Sequence, residues 1–323
     1  MDELLTPPPA DVGPPETADD DPRLGHLIAS DPAELKDAKG PDRPAAVLVG
    51  FPSDEGVRRN GGRPGAAEAP TELRRRLYGL TPDARTGGGR MERLLRRTLD
   101  AGDVRVTGDV EADQERLGEV VGRWLSEGAF VVVLGGGHET AFGHFLGHVA
   151  AGLEPEILNW DAHPDVRPVG EGGAHSGSPF RQALLHPSGA CRGYTVAGLL
   201  PHAVSAAHRR FLEERGCEVV WRARIGASTP DELFGGLSDP ALASFDLDAV
   251  DQAWAPGVSA PAAGGLDPEV WLAAAEAAGR AEQVRSVDVV ELNPRFDPDG
   301  RTARLAAVTV WRLLRGLADR QAG

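Results

Sequence analysis

The sequence has few cysteines and no long apolar run, and each absence excludes a class of protein. Cys191 and Cys217 are the only cysteines among 323 residues, and their spacing matches neither a Cys-x-x-Cys motif nor a metal-binding pattern. We interpret them as free thiols of a reducing compartment. No apolar run approaches the ~20 residues of a membrane-spanning helix. Residues 1–5 are acidic and lack the basic and apolar regions of a signal peptide, so we expect a soluble, cytoplasmic protein.

Basic charge is also scarce relative to acidic charge. The formal net charge of -15 argues against a nucleic-acid or anionic-membrane partner. It does not exclude an anionic small-molecule substrate, because a few local arginines would suffice to bind one. Hydrophobic residues make up 41% of the chain, so it can bury a sizeable core.

Residues 1–43 differ in composition from the rest of the chain. They are rich in proline, aspartate and glutamate, with Pro7, Pro8 and Pro9 in succession, and they offer little to bury. We predict a mobile, acidic N-terminal arm over 1–43, with a short helix near 24–28. The continuous apolar run at 45–51 then indicates a strand that is covered on both faces. Residues 44–323 are predicted to form a single domain.

Downstream of this strand, apolar runs alternate with helical patterns. Further strands are predicted at 104–106, 129–134, 156–160, 193–197, 218–221, 243–247 and 286–290. Helices are predicted at 66–78, 113–127, 139–151, 179–185, 203–215, 230–236, 268–278 and 301–320. Strands and helices that alternate at this pitch predict an α/β fold, with a mostly parallel sheet between two helical layers.

Two carboxylates and an imidazole follow the strand predicted at 156–160. Asp161, His163 and Asp165 occupy alternate positions, so in an extended chain they would point to the same side. The carboxyl ends of strands are where open α/β sheets carry their sites. Carboxylate oxygens with one imidazole suit a hard or borderline divalent ion such as Mn²⁺. A solvated cluster of aspartates is the alternative.

Similar residues follow two other predicted strands. Three glycines and then His138 come after the strand at 129–134, where the backbone can turn tightly beside a ligand. A histidine that caps a helix is the alternative there. Asp246 and Asp248 end the strand at 243–247. Burying two like charges is costly unless they bind a cation, whereas a loop of solvated aspartates would avoid that cost.

If the three strand ends meet at one rim of the sheet, they provide four carboxylates and two imidazoles. That set is large enough for two divalent ions that share carboxylates. We therefore predict a binuclear metal site with the ligands His138, Asp161, His163, Asp165, Asp246 and Asp248.

Three motifs carry a resemblance to a known family. Gly-Gly-Gly-His-Glu at 135–139, Asp-Ala-His-Pro-Asp at 161–165 and Ser-Phe-Asp-Leu-Asp at 244–248 resemble, in this order, the ureohydrolase superfamily of arginase, agmatinase and formimidoylglutamase. The resemblance implies a three-layer α/β/α fold with a parallel, about eight-stranded sheet, so residues 44–323 would be a ureohydrolase-like catalytic domain. It also implies two Mn²⁺ per chain and, as is usual in the family, a homo-oligomer.

The resemblance further implies which residues hold each ion. One ion would be held by His138, Asp161, Asp165 and Asp246. The other would be held by Asp161, His163, Asp246 and Asp248. Asp161 and Asp246 would therefore bridge the two ions.

Four other stretches resemble formimidoylglutamase within the superfamily. They lie at 50–60, 176–180, 255–261 and 301–307. The resemblance implies hydrolysis of the amidine C–N bond of N-formimidoyl-L-glutamate to L-glutamate and formamide, a reaction of histidine degradation. The nucleophile would be a hydroxide that bridges the two ions, because bound metal lowers the pKa of water.

Three residues are candidates for the chemistry. Glu291 ends another predicted strand and matches the family's substrate-facing glutamate, which would pair with the cationic amidine. Asp165 would accept the proton of the hydroxide and return it as a general acid. Guanidine-cleaving members carry a catalytic histidine where this chain has Ser176, which favours formimidoylglutamase. The neighbouring His175 is a candidate proton shuttle, and its use is left open.

The two carboxylates of such a substrate need donors. Arg58, Arg59 and Asn60 follow the first predicted strand in a glycine-flanked loop and are the first candidates, with a solvated charge cluster as the alternative. Ser176 and Ser178 are further candidates, although Ser178 would equally cap the helix that follows it.

Two other functions stay open at this point. An agmatinase-like guanidine hydrolase that releases urea would need a carboxylate for its cationic substrate, and Asp54 and Glu55 lie in the same loop as the arginines. A non-catalytic metal-binding protein on the same fold would bind metal without turning over any amidine.

Overall fold

A nine-stranded sheet runs through the computed structural model, which describes residues 3–18, 20–37, 43–85 and 89–321. The strands within these residues are β1 (Leu5–Thr6), β2 (Ala46–Phe51), β3 (Thr98–Val104), β4 (Phe130–Gly135), β5 (Glu156–Trp160), β6 (Gly193–Leu199), β7 (Glu218–Trp221), β8 (Ala241–Asp246) and β9 (Val284–Val290). Their order is β1-β3-β2-β4-β9-β8-β5-β6-β7. All neighbours pair in parallel except β1, which pairs with β3 in antiparallel fashion.

Helices connect the parallel strands, as parallel pairing requires. The helices within the described residues are α1 (Leu24–Leu27), α2 (Glu55–Arg59), α3 (Ala69–Leu77), α4 (Arg90–Leu95), α5 (Val110–Ser126), α6 (Thr140–Ala150), α7 (Pro179–Leu184), α8 (Ala206–Glu214), α9 (Thr229–Gly235), α10 (Pro268–Arg280) and α11 (Arg301–Arg320). None of them is both long and apolar enough to cross a membrane.

The strands are covered on both faces, which explains why their sequences read as continuous apolar runs. Successive residues of β4 alternate between two cores: Val132 packs in a cluster with residues of α3, α10 and α11, whereas Val131 and Val133 pack in a cluster with residues of α5. A third cluster joins α6, α7 and α8 to the β5, β6 and β8 strands. The predicted three-layer α/β/α fold with a mostly parallel sheet is confirmed, and β1 adds a ninth, antiparallel strand at its edge.

Parts of the stretch predicted as a mobile arm, residues 1–43, contact the rest of the fold in the described residues, and the mobility itself stays a prediction. Leu5 pairs with Val104 at the edge of the sheet. The predicted short helix is present as α1, and Leu24 within it is fully buried in the larger core cluster. A few apolar residues spaced along an otherwise polar stretch make these contacts. Residues 1–2, 19 and 38–42 lie outside the described residues, and the single domain at 44–323 stays a prediction.

The third strand also differs from its predicted bounds of 104–106. It spans Thr98–Val104 because Asp100 and Asp103, which interrupt the apolar pattern, are both bonded to the buried Arg74. Because of these buried ion pairs, the sequence of a core strand has the composition of a polar segment.

Candidate metal centre

The candidate site lies where four neighbouring strands end. The strands β4, β9, β8 and β5 are consecutive in the sheet, and each is followed at its carboxyl end by residues of the predicted site. His138 follows β4, Asp161 follows β5, Asp246 is the last residue of β8, and Glu291 follows β9. Open α/β sheets bind ligands at this edge. The three strand ends that the sequence suggested therefore do meet, and β9 completes the rim between them.

The first group of ligand atoms surrounds Nδ1 of His138. This nitrogen lies 2.9 Å from Oδ2 of Asp246, 3.0 Å from Oδ2 of Asp165 and 3.4 Å from Oδ2 of Asp161. Four potential ligand atoms from these residues lie within 4.8 Å of one another.

The second group surrounds Nδ1 of His163. This nitrogen lies 3.1 Å from Oδ2 of Asp248 and 3.4 Å from Oδ1 of Asp161. Asp161 therefore offers one oxygen to each group, as expected of a carboxylate shared by two ions. Asp246 belongs to the first group only, so its role as a second bridge stays a prediction.

Side-chain turns, rather than an extended chain, bring alternate residues to the same side. Oδ1 of Asp161 accepts a hydrogen bond from the backbone N–H of His163 at 2.6 Å. Oδ1 of Asp246 accepts one from the N–H of Asp248 at 2.8 Å, where a short 3₁₀ helix begins. Such turns are typical of aspartate. The spacing of two residues was interpreted correctly, but its cause is a turn after the strand.

The left-handed backbone of Asp165 also shapes the site. Its φ is 41°, a conformation that few residues other than glycine adopt. Outliers of this kind are concentrated at functional sites, where the surrounding structure holds them. Oδ2 of Asp161 is fixed separately by the side-chain N–H of Asn159 at 3.0 Å, and the same amide group also donates to the hydroxyl of Tyr194.

Burial and mutual repulsion dominate the electrostatics of the site. Burial and then the neighbouring carboxylates of Asp248 and Asp161 raise the pKa of Asp246 well above its ordinary value. Burial, opposed by His163, raises the pKa of Asp248 to about 7. The carboxylate of Asp248 raises the pKa of His163 against the effect of burial. Buried acids that resist ionisation beside imidazoles that resist deprotonation are expected of a site built for a cation.

Unsatisfied buried atoms support the same conclusion. Oδ1 of Asp248 and Oε2 of Glu291 are buried and have no hydrogen-bond partner, and Nδ1 of His138 lies close to three carboxylates without hydrogen-bond geometry to any of them. Buried polar atoms rarely lack a partner, so each such atom calls for an explanation. The donor set of carboxylate oxygens and imidazole nitrogens fits a divalent cation of the Mn²⁺ type.

Glu291 links the ligand groups to a cavity. Its Oε1 accepts a hydrogen bond from the backbone N–H of His138 at 2.8 Å, which leaves Oε2 free. Its φ of 67° is the second left-handed outlier of the described chain among residues other than glycine. Burial, followed by the charges of Asp246 and Glu139, raises the pKa of Glu291 well above its ordinary value. A fixed carboxylate with one free oxygen beside the ligand groups is suited to bind a cationic substrate group.

The exposed Arg167 marks the mouth of this cavity, which is also lined by the buried Glu291, Asp246 and Asp248. The side-chain N–H of Asn60 donates to Oγ of Ser176 at 3.0 Å. Nη1 of Arg167 donates to Oδ1 of the same asparagine at 2.9 Å. The cavity is also lined by His163, Asp165, His208 and Ser259.

A larger groove of about 820 Å³ lies at the opposite ends of the strands. It is lined by Phe130, Val284 and other residues at the amino ends of β4 and β9, and its Arg285 is paired with Asp239. Neither group of potential metal ligands in the described chain includes a residue of this groove. Size is therefore a poor guide here, and the chemistry lies in the smaller cavity.

Comparison with known proteins agrees with this geometry. The model of the Arginase family matches residues 44–315. The chain belongs to the arginase family. It is 39% identical to a formimidoylglutamase of Rhodococcus opacus (strain B4), over 97% of both chains. It is 38% identical to a formimidoylglutamase of Geobacillus thermodenitrificans (strain NG80-2), over 84% of this chain and 85% of that one.

Solved structures of the family show the same fold. Trypanosoma cruzi formiminoglutamase, solved with Mn²⁺, is 29% identical with a TM-score of 0.81, over 93% of this chain and 99% of that chain. The proclavaminate amidino hydrolase of Streptomyces clavuligerus is 27% identical with a TM-score of 0.76, over 95% and 99% of the two chains. The predicted resemblance to ureohydrolases, and to formimidoylglutamases among them, is confirmed.

Arg58 and Arg59, the first candidates for substrate binding, do not line the cavity of this arginase-family site. Nε of Arg58 donates to Glu55 at 2.7 Å, and its side chain is 64% exposed. Arg59 is paired with Glu55 and with Glu111, the latter at 2.9 Å. Both arginines lie on the short helix α2, which the sequence did not predict and which ends just before Asn60. Both arginines are thus occupied by carboxylate partners outside the cavity, and their part in substrate binding stays a prediction.

The structure also separates the three candidates at 175–178. Ser176 lines the cavity, as expected. Nδ1 of His175 accepts the N–H of Gly177 at 3.2 Å, and its Nε2 lies 3.3 Å from the carbonyl of Pro168, so its ring is engaged by its own loop. Ser178 is fully buried and bonds within the same turn and to Gln182. His175 and Ser178 are not among the residues that line the cavity, and their roles in the site stay predictions.

Two residues at the mouth were not predicted. Arg167 stands two positions after Asp165, so it continues the alternation that begins at Asp161, and this signal was available in the sequence. His208 lies on α8 and reaches the cavity from a distant part of the chain. Its sequence neighbourhood contains no sign of that position.

Proposed function

We propose that the chain hydrolyses N-formimidoyl-L-glutamate to L-glutamate and formamide at a centre that holds two Mn²⁺. One observation carries the proposal: a fixed, buried carboxylate with a free oxygen, Glu291, lies beside two adjoining groups of metal-type ligands. Relatives named formimidoylglutamase over nearly the whole chain support the choice of substrate.

The two ligand groups support a place for each proposed ion. His138, Asp161, Asp165 and Asp246 would hold one, and Asp161, His163 and Asp248 would hold the other. When bound, the ions supply Lewis acidity, which lowers the pKa of water and makes attack feasible near neutral pH.

The residues of the chain then bind the substrate and move a proton. Oε2 of Glu291 would accept hydrogen bonds from the amidinium N–H groups, while the N–H of His138 holds Oε1 in place. Water would form a bond to the formimidoyl carbon, and the bond from that carbon to the glutamate nitrogen would break. Asp165 would take a proton from the water and deliver it to the departing amine, which leaves formamide and glutamate.

The mouth of the cavity would recognise the glutamate portion. Arg167 is the arginine that lines the cavity, and a guanidinium can bind a carboxylate through two parallel hydrogen bonds. Asn60 and Ser176 add neutral donors next to it. This arrangement would repel the cationic amine of agmatine, so it disfavours an agmatinase-like activity.

Turnover after loading with Mn²⁺ tests the proposal directly. N-formimidoyl-L-glutamate, agmatine, arginine and guanidinobutyrate would be offered separately, with formamide, glutamate and urea assayed in each case. We expect formamide and glutamate in equal amounts from the first compound only. Urea from any guanidine would replace the proposed substrate. Two bound ions without turnover of any compound would favour a non-catalytic role.

The remaining expectations of the sequence are consistent with this proposal but add no support to it. A cytoplasmic location and a homo-oligomeric assembly stay predictions. So does the identity of the ions as Mn²⁺, because carboxylate-rich sites select metals partly by availability.

A further inference from the structure

A continuous series of hydrogen bonds leads from His138 into the interior of the fold. Nε2 of His138 lies 2.9 Å from Oγ of Ser244, and that hydroxyl lies 2.6 Å from Oδ1 of Asp288. Oδ2 of Asp288 lies 2.7 Å from Nδ1 of His144. The first part of the series therefore joins the ends of β4 and β8 to the middle of β9 and to α6.

The series continues for two more side chains. Nε2 of His144 lies 2.6 Å from Oγ of Ser286, and Nε2 of His148 lies 2.7 Å from the same hydroxyl. No side chain of the series is more than 1% exposed. Hydrogen bonds of this kind in a buried environment reinforce one another, whereas an unpaired member is costly.

The hydrogens along the series can be assigned in one consistent direction. If Nδ1 of His138 is a metal ligand, its Nε2 carries the proton and donates to Ser244, whose hydroxyl then donates to Asp288. The second oxygen of Asp288 accepts from Nδ1 of His144. Nε2 of His144 must then accept from Ser286, whose oxygen accepts from Nε2 of His148.

The end of the series agrees with this assignment. In this assignment Nδ1 of His148 carries no proton and can only accept a hydrogen bond. It is one of the buried nitrogens that lack a partner. Burial lowers the pKa of His148 well below its ordinary value, so this ring is neutral. A protonated Nδ1 at this position would instead be a buried donor without an acceptor, which costs more than an idle acceptor.

The interface between α6 and β9 contains four polar residues where a core of this kind is usually apolar. Ser286 and Asp288 are alternate residues of β9, so both point toward α6, where His144 and His148 stand one turn apart. Apolar residues could fill these positions if packing were their only task. A buried carboxylate with a histidine partner is retained at a stability cost that hydrophobic packing would avoid.

We propose that His144 is a positioning residue for the metal centre, acting on His138 through Asp288 and Ser244. Its N–H orients the carboxylate of Asp288, which orients the hydroxyl of Ser244 and so keeps Nδ1 of His138 directed at the first ligand group. Ser286 and His148 hold the far side of the His144 ring. The effect is confined to the ion on the His138 side, because no contact of the series reaches His163. This inference rests on the metal centre of the proposed function and not on its substrate.

Binding of Mn²⁺ to a matched set of variants tests the inference. His144→Leu removes the donor to Asp288, whereas His144→Asn keeps a side-chain N–H close to the position of Nδ1. Phe145→Leu is the control, because this neighbour on α6 is equally buried and lies outside the series. Each variant would be titrated with Mn²⁺ in chelator-buffered solution, with bound metal counted by elemental analysis and the Mn²⁺ pair followed by electron paramagnetic resonance.

We expect His144→Leu to weaken the binding of one of the two ions, by at most the about 10- to 100-fold that follows the loss of a direct outer partner of a metal ligand. His144→Asn should recover most of that affinity. Phe145→Leu should lower the Tm and leave both affinities unchanged. A His163→Asn variant, which weakens the other ion, would identify which titration step belongs to which side.

Three results would overturn the inference. The first is a His144→Leu variant that binds both ions as tightly as the unmodified protein. If its Tm also falls as in Phe145→Leu, His144 has a structural role only. Equal weakening of both ions would contradict the confinement to one side. If His144→Leu does not fold, Ser286→Ala is the milder variant, and an unchanged affinity in that folded variant would count against the series in the same way.

The substrate assay separates this inference from the proposed function. A protein that binds two ions, responds to His144→Leu as expected and yields no formamide would refute the substrate and leave the positioning role intact. A protein that binds no divalent ion would refute both.

Discussion

The backbone N–H of His138 donates to Oε1 of Glu291 at 2.8 Å, so a candidate metal ligand and a candidate substrate-binding carboxylate are joined by one hydrogen bond. The two residues come from strands that are neighbours in the sheet but 153 positions apart in the chain. The bond leaves one oxygen of Glu291 directed to the cavity and sets its distance from the ligand groups. The same residue, His138, therefore provides a candidate metal ligand through its side chain and positions the substrate-binding carboxylate of Glu291 through its backbone N–H.

Glu291→Gln tests the substrate-binding role of this carboxylate. The amide oxygen can still accept from His138, but an amide N–H would replace the free oxygen that faces the amidinium. We expect kcat/KM for N-formimidoyl-L-glutamate to fall about 10- to 100-fold, as for the loss of a hydrogen bond to a charged group. Bound Mn²⁺ should stay at the level of the unmodified protein. Undiminished kcat/KM, or loss of metal in place of activity, would show that Glu291 has another role.

Arg167→Gln tests recognition of the glutamate portion. Removing the guanidinium at the mouth of the cavity should raise KM for the anionic substrate about tenfold or more and change kcat little. Arg58→Gln is the matched control, because that arginine is exposed and paired with Glu55 outside the cavity. We expect KM of the control to be unchanged. If the control raises KM and Arg167→Gln does not, Arg58 would replace Arg167 as the residue that binds the glutamate portion.

Asp161→Asn tests the shared ligand. Asp161 is fully buried and supplies one oxygen to each ligand group, so its neutral amide should weaken both ions. We expect Mn²⁺ affinity and activity to fall together by more than about 100-fold, beyond the effect of an outer partner. Asp251→Asn, at a carboxylate outside both groups, should leave metal content unchanged. An Asp161→Asn protein with two ions and full activity would exclude the bridging role.

Local sequence patterns were sufficient for most of the parallel sheet and for the positions of the candidate ligands along it. Apolar runs marked seven of the parallel strands closely, and the residues directly after them, such as Asp161, are fixed by the strand that precedes them. β3 was the exception, because Asp100 and Asp103 are bonded to Arg74 in the core and break the apolar pattern. Functional residues that directly follow a strand can therefore be predicted from the sequence once the strand is recognised.

Contacts made between loops and across elements were not readable in the same way. Whether Arg58 or Arg167 faces the cavity depends on a helix of five residues, Glu55–Arg59, that is too short to show a periodic pattern. The role proposed for His144 has no signal in its local sequence, because its partner Asp288 is 144 positions away. The position of a side chain that depends on several loops or distant elements is a property of the packed fold.

Release of protons on metal binding is the last prediction, and its sign follows from the shifted pKa values. Burial, against the opposing charge of His163, raises the pKa of Asp248 from 3.8 to about 7, so the metal-free site holds a proton there up to neutral pH. The pKa values of His138 and His163 are raised as well, and both rings must lose a proton before they can bind metal. Bound Mn²⁺ therefore displaces protons, and its affinity should rise with pH.

The dependence can be measured by calorimetry in buffers of different ionisation enthalpy. We expect proton release at pH 6 and a gain in Mn²⁺ affinity of about tenfold per pH unit for each proton released. The contribution of Asp248 to the stability of the metal-free protein has the opposite sign, since it is lost as the pH rises through 7. The gain in Tm on adding Mn²⁺ should therefore widen between pH 6 and pH 8. Binding heats that do not depend on the buffer would show that the metal-free site is already deprotonated, and that the buried carboxylates are stabilised in some other way.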